Sequence, residues 1–183
     1  VAGRFLGTLG SAGINVMAIA QGASERNISA VISRQDSTRA LRAVHSGFYL
    51  SAETISIGVI GPGNVGQVLL KQMATEIPRL KSQFNLDLRV RAIAGSRHMR
   101  LAETELEPAQ WTTPGEGDPA TDLAAFAAHV HAPHLPHALI VDCTANSVVA
   151  DHYADWLARG IHVVTPNKQA GGGDLARYRA VRA

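Results

Sequence analysis

The stretch Thr54–Gly66, TISIGVIGPGNVG, carries an apolar run directly into three glycines spaced G-x-G-x-x-G. Ile55, Ile57, Val59 and Ile60 are β-branched and uncharged, as a strand buried on both faces of a parallel sheet requires. Beyond the glycines, Val65, Val68, Leu69, Met73 and Ile77 recur at helical spacing, so the order is strand, glycine turn, helix. In that context each glycine has a task. Gly61 permits the tight turn, Gly63 lets the backbone approach a diphosphate, and Gly66 lets helix and strand pack closely. The phosphates then meet the free N–H groups and positive end of the helix. The stretch therefore predicts a dinucleotide-binding α/β unit, with Gly61, Gly63, Asn64, Val65 and Gly66 as candidate cofactor contacts; the alternative is an ordinary strand-to-helix turn.

Downstream, Pro78 predicts that the helix stops near Ile77. Leu86, Leu88, Val90, Ala92 and Ala94 alternate with Asp87, Arg89 and Arg91, which reads as the second strand of a βαβ unit. The residues after that strand bear on the cofactor. A carboxylate there accepts hydrogen bonds from the ribose 2′-OH of NAD, whereas an arginine accommodates the 2′-phosphate of NADP. The sequence reads Ala94-Gly95-Ser96-Arg97, with no acid before Glu103. NADP is favoured, with NAD possible, and Ser96 and Arg97 are the expected contacts; as the alternative, Arg97 is a solvated loop residue.

Met99–Pro136 is rich in proline and glycine, and Thr121 or Asp122 is placed to cap a helix carrying Leu123, Phe126, Ala127 and Val130. His129, His131, His134 and His137 lie close in sequence, but prolines 133 and 136 interrupt any helix that would align them. Their spacing matches no metal-ligand pattern, so no metal is expected. Order returns with a buried strand at Ala138–Ala145, a helix at Val148–Arg159 ended by Gly160, and a strand at Ile161–Thr165 followed by Pro166-Asn167-Lys168. A last helical run starts at Asp174. Thr144 and Lys168 thus end adjacent units on the edge that holds the glycine turn, where ligands collect in open α/β sheets. A hydroxyl there suits a ribose or phosphate, and an ammonium can polarise a carbonyl or orient a carboxylate. A strand-end cap and a surface ammonium are the plain alternatives.

Upstream the pattern changes. Phe5, Leu6 and Leu9 share a helical face that Gly10 and Gly13 can end. Ile14–Gln21 and Ile28–Ser33 read as paired strands about a polar turn at Gly22–Asn27. A second helix capped by Asp36 or Ser37 carries Leu41 and Val44, and Phe48–Leu50 gives a short apolar strand before the polar joint Ser51–Glu53. The series is a βαββαβ unit lacking its first strand.

Composition limits the classes. The 183 residues suit one domain or one domain with part of another; charged residues are only 17%, against 46% hydrophobic and 5% aromatic. Net charge is +2, and the basic residues are scattered, which argues against a nucleic-acid stripe. Cys143 is the only cysteine, as suits a reducing compartment. No apolar run spans a bilayer and Val1–Gly22 lacks a basic leader, so a cytoplasmic protein is expected.

The run Ala12–Ser33, AGINVMAIAQGASERNISAVIS, resembles the second ACT regulatory domain of aspartokinases, most closely that of the bifunctional aspartokinase–homoserine dehydrogenases. The resemblance implies an amino-acid effector site, usually for threonine, with Gln21 and secondarily Asn15 as contacts. Val141–Ala170, VDCTANSVVADHYADWLARGIHVVTPNKQA, is similar to homoserine dehydrogenases, in which the TPNK lysine, Lys168 here, lies at the cofactor–substrate junction. That family interconverts homoserine and aspartate semialdehyde with NAD(P)(H), on the route from aspartate to threonine and methionine. ACT before dinucleotide fold is the bifunctional order. The expected division is an ACT domain at 1–50, lacking its first strand, and an incomplete NAD(P)-binding domain at 54–183. The resemblance implies a homo-oligomeric parent whose kinase and substrate domains lie outside this chain, so the piece alone is expected to be inactive; the missing first strand would leave unpaired edges, so residues 1–50 are expected to be loosely folded or aggregation-prone in isolation. A non-catalytic sensor of amino-acid level and redox cofactor is the alternative from a different class.

Overall fold

A computed structural model describes residues 1–22, 27–49 and 54–182. The middle of the expected turn at Gly22–Asn27, the joint Ser51–Glu53 and Leu50 lie outside the described residues. The chain divides into two compact units, Val1–Ser51 and Ala52–Ala183.

The first unit contains α1 (Ala2–Ser11), β1 (Val16–Gln21), β2 (Ile28–Ile32) and α2 (Ser37–Tyr49). α1 ends where Gly13 takes φ +65°, a left-handed value that glycine adopts without strain. The chain then turns into β1, which pairs antiparallel with β2, Gln21 opposite Ile28. Leu9, Ile14, Ala40 and Ala43 form the core, with Phe5, Val16, Ile32 and Val44 against it. The strand expected over Phe48–Leu50 is corrected, because Phe48 lies in the last turn of α2. Its place on the helix follows from packing. At Gly47 any Cβ would run into the Thr8 side chain of α1, and the Arg4 guanidinium sits 5.6 Å from the Phe48 ring centre.

The second unit is a five-stranded sheet in the order β5-β4-β3-β6-β7, from β3 (Thr54–Ile60), β4 (Asp87–Ala94), β5 (Met99–Leu101), β6 (His137–Asp142) and β7 (Ile161–Val164). All neighbours are parallel except β5, which runs antiparallel to β4 at the edge. β4 lies to one side of β3 and β6 to the other, so the strand order reverses between β3 and β6. α3 (Asn64–Phe84) covers one face with Leu70 buried and Leu69, Met73 and Ile77 packed against Ile57, Val59, Val90 and Ile93. The opposite face carries α4 (Leu123–Val130), α5 (Ser147–Ala150) and α6 (Tyr153–Ala158); α7 (Gln169–Gly172) and α8 (Leu175–Arg182) follow β7. Gly58 lets α4 approach the sheet: a Cβ there would come 2.6 Å from Val130 Cγ2 and 2.7 Å from the Phe126 ring.

Four sequence expectations are corrected here. α3 does not stop at Ile77 but carries Pro78 inside it and ends at Asn85, φ 56°. Packing outweighs the proline defect, about 3 kcal/mol. Ala74 and Ile77 pack with Leu106 and Trp111, and Lys81, one turn further on, pairs at 2.8 Å with Asp87 of β4. The single helix expected at Val148–Arg159 is two helices, an interruption that lets Val149, Ala150, Tyr153 and Trp156 all reach one core. β6 ends at Asp142 rather than Ala145, because the Thr144 N–H bonds the Asp142 side chain at 2.7 Å instead of a neighbouring strand. Arg91, expected on the polar side of β4, is 2% exposed. Its guanidinium donates to the Glu103 carbonyl at 2.9 Å and the His129 carbonyl at 2.7 Å, which satisfies a charge that burial would otherwise penalise.

Candidate functional site

The glycine turn sits at the carboxyl ends of β3 and β6, at the point where the strand order reverses. Gly61 takes φ +82°, and a Cβ on it would lie 2.8 Å from Thr144 Cγ2 and 3.0 Å from the Cys143 carbonyl carbon. Both conformation and space demand glycine. A Cβ on Gly66 would collide with the Gly61 carbonyl oxygen, so that glycine sets the close packing of α3 on the turn. Gly63 differs from both, since a Cβ there would meet nothing within 4 Å. Its openness faces solvent at the mouth of the turn. Asn64, Val65 and Gly66 open α3, and their N–H groups are the ones a helix leaves unpaired. An anionic diphosphate fits this cradle by charge and by room.

Thr144 stands beside Gly61, and a buried polar network joins its segment to that of Lys168. Asp142, 0% exposed, accepts from the Thr144 N–H, from the Tyr153 hydroxyl and from Asn167 Nδ2 at 3.0 Å. Asn167 Nδ2 also reaches the Asn146 carbonyl at 2.8 Å and Thr144 Oγ1 at 3.4 Å. Thr165 Oγ1 donates to the Asp142 carbonyl at 2.8 Å and accepts from the Asn167 N–H at 2.8 Å. Burial, then the Asp142 carboxylate it donates to, pushes the Tyr153 hydroxyl well above its ordinary value, so it stays a donor. Burial, with Asp142 beside it, also raises the Cys143 thiol. Among the described residues the Lys168 ammonium has no partner and is exposed. A cleft of about 670 Å³ opens between α3 and the end of β7, walled by Val65, Val68, Val141, Cys143 and Pro166. Thr144 and Lys168 are therefore brought to one edge, whose other member is the glycine turn.

Ser96 and Arg97 occupy the turn between β4 and β5, both exposed. Among the described residues the Arg97 guanidinium has no partner. Asp122 caps α4 through the N–H groups of Ala124 and Ala125, while Thr121 instead bonds the Gly95 carbonyl at 3.0 Å. Gln21 and Asn15 are exposed at the two ends of the β1 segment in the first unit. Among the described residues no three His, Cys, Asp or Glu side chains converge as a metal site, and no helix is long and apolar enough to cross a membrane. Sequence reasoning missed Asp142, Tyr153 and Asn167, and the loop Trp111–Asp118 beside the turn. The polar residues closing the apolar run of β6 were the available signal for Asp142.

Comparison with known proteins places these features. The family model described as homoserine dehydrogenase, NAD binding domain, matches residues 61–183, and an ACT domain model matches residues 1–48. The chain is 49% identical over 185 aligned residues to the bifunctional aspartokinase/homoserine dehydrogenase, chloroplastic, of Daucus carota, covering all of this chain and 20% of that protein. It is 35% identical to the bifunctional aspartokinase/homoserine dehydrogenase of Haemophilus influenzae, covering all of this chain and 22% of that one. The crystal structure of homoserine dehydrogenase from Thermoplasma acidophilum superposes with a TM-score of 0.52 at 21% identity, over 70% of this chain and 40% of that one; this likeness speaks to the fold. The chain thus spans about a fifth of the length of the curated relatives it matches. With a glycine turn, a strand-order reversal and a family match over two thirds of its length, the chain belongs to the homoserine dehydrogenase family through its NAD-binding domain, preceded by an ACT domain.

Proposed function

We propose that this chain supplies the cofactor-binding half of a homoserine dehydrogenase active site, within a protein that also carries aspartate kinase. The reaction is L-homoserine + NAD(P)⁺ = L-aspartate 4-semialdehyde + NAD(P)H, a step from aspartate toward threonine and methionine. The observation that carries the reading is the convergence of the open glycine turn, Thr144 and Lys168 on one sheet edge, with Asp142 and Asn167 tying the last two together. When bound, the nicotinamide cofactor supplies the hydride acceptor or donor. The chain's own residues bind and orient. The N–H groups of Gly63, Asn64, Val65 and Gly66 hold the diphosphate, Thr144 offers its hydroxyl to the ribose or phosphate, and Lys168 polarises the substrate carbonyl or orients its carboxylate.

NADP is the preferred cofactor in this proposal, because the turn after β4 offers Ser96 and an unengaged Arg97 to a 2′-phosphate and no carboxylate to a 2′-OH. In the first unit, Gln21 and Asn15 contact an amino-acid effector, threonine by family resemblance, and the full protein is a homo-oligomer. Residues 1–50 form the regulatory domain and 54–183 the cofactor domain. The compartment proposed is the cytoplasm; the plant relatives bear "chloroplastic" in their names. Titration of NADPH and NADH into the purified chain and its Arg97→Ala variant, followed by nicotinamide fluorescence, tests the reading. Tighter NADPH binding that Arg97→Ala weakens to the NADH value is expected; equal affinities, unchanged by the substitution, would refute the 2′-phosphate assignment.

A further inference from the structure

The Pro62–Gly63 peptide is trans and planar, so its C=O and N–H point in opposite directions. Whatever grips the carbonyl therefore aims the Gly63 N–H. Little in the turn itself does so, because ψ of Pro62 is free and glycine tolerates either orientation of the plane. Two donors reach the Pro62 carbonyl, Gln67 Nε2 at 3.3 Å from within α3 and Thr113 Oγ1 at 3.1 Å from 51 residues away. Among the described residues no protein atom accepts from the Gly63 N–H. It is left for whatever occupies the mouth of the turn.

Thr113 is itself held on both sides. Arg100 of β5 donates to the Gln110 carbonyl at 2.7 Å and to Thr112 Oγ1 at 3.3 Å, ahead of it. Behind it, the same guanidinium grips both oxygens of Asp118, at 3.1 and 2.6 Å, and Asp118 accepts the Gly115 N–H at 3.1 Å. A bidentate pair of this kind fixes geometry as well as charge. The Thr113 methyl meanwhile faces Gly95, where a Cβ would stand 3.8 Å from it. The loop thus spans from the end of β4 to the glycine turn.

We propose that Thr113 is a positioning residue for the cofactor diphosphate: through the Pro62 carbonyl it orients the peptide whose other end, the Gly63 N–H, is presented to the phosphates. The proposal rests on the dinucleotide reading of the turn. Isothermal titration of NADPH and NADH into the 183-residue chain tests it, with Thr113→Val removing the donor at constant shape and Thr113→Ser keeping it. Thr113→Val is expected to weaken both nucleotides alike, about tenfold for one lost hydrogen bond, with their ratio unchanged and Thr113→Ser close to the unaltered chain. Thermal midpoints accompany the titrations. Thr113→Ala, which removes the hydroxyl without adding bulk, is read in the same way should valine unsettle the fold. Unchanged affinity of the hydroxyl-free variants overturns the proposal and leaves the cofactor reading standing. A loss confined to NADPH also overturns it, since it would put Thr113 at the 2′-phosphate. Serine behaving like valine would make the residue's role one of shape, against the proposal. An unaltered chain that binds neither nucleotide defeats the cofactor reading itself, and this inference with it.

Discussion

Two alanine substitutions within one turn separate the work of the glycines. At Gly66 a Cβ meets a backbone oxygen, that of Gly61, which has no flexible end to swing away. Overpacking of this kind costs about 1–3 kcal/mol, and the gain from replacing a helical glycine by alanine, about 1 kcal/mol, offsets part of it. A net loss of up to about 2 kcal/mol lowers the thermal midpoint by up to roughly 8 °C for a chain of this size. At Gly63 the same methyl meets nothing within 4 Å and φ is −82°, so Gly63→Ala should leave the midpoint almost unmoved. It does, however, occupy the room through which a diphosphate approaches the turn. Its expected signature is NADPH affinity lowered at least about tenfold, a loss of about 1.4 kcal/mol, at wild-type stability. Differential scanning fluorimetry with and without NADPH, beside a fluorescence titration, measures both quantities. If Gly63→Ala binds NADPH as tightly as the unaltered chain, the cofactor does not lie against this turn.

Tyr153→Phe withdraws the one O–H that the buried Asp142 carboxylate accepts, and with it the hydroxyl oxygen 3.1 Å from Thr165 Oγ1. A hydrogen bond to a charged group is worth about 1.5–3 kcal/mol, so the midpoint should fall by several degrees, and an unchanged midpoint would show that the network carries no stability. Asp87 answers to pH. Burial raises its carboxyl, but Lys81 and Arg89 together outweigh that and hold it below its ordinary 3.8. A depressed folded value stabilises the native state above the unfolded one and is lost as pH falls below about 3.8. Acid unfolding of Asp87→Asn should therefore show a shallower limb in that range, and superimposable curves would exclude the pair as a source of acid sensitivity. At Cys143, a thiol raised by burial and by Asp142 should be alkylated by iodoacetamide at pH 8.5 more slowly than free cysteine. Equal rates would mean that the cleft beside it is open to water.

The strand–turn–helix core was legible because its signals are local: β-branched runs, three spaced glycines and the helical recurrence of Val65, Val68 and Leu69. Thr144 and Lys168 could be placed on one edge from strand order alone. Pro78 misled because a local penalty was weighed without the packing on either side of it. Asp142 and Asn167 escaped notice because their partners are up to 25 residues distant, and no periodicity encodes a hydrogen bond between loops. β5 escaped for another reason. Three residues in a stretch rich in proline and glycine leave no alternation to read.

Arg91 gives the sheet a constraint on the order in which it can form. Its guanidinium bonds join segments 12 and 38 residues apart in sequence, and both must arrive before the cation leaves water. An assembly in which β3, α3 and β4 have met but α4 has not leaves that charge hydrated at a half-built surface, where docking either segment alone strips solvent without completing the bonds. Such intermediates are poor stopping places. The excursion from β4 to β6 is therefore expected to close cooperatively, since a single side chain in the middle of a strand ties both of its segments to the core beneath.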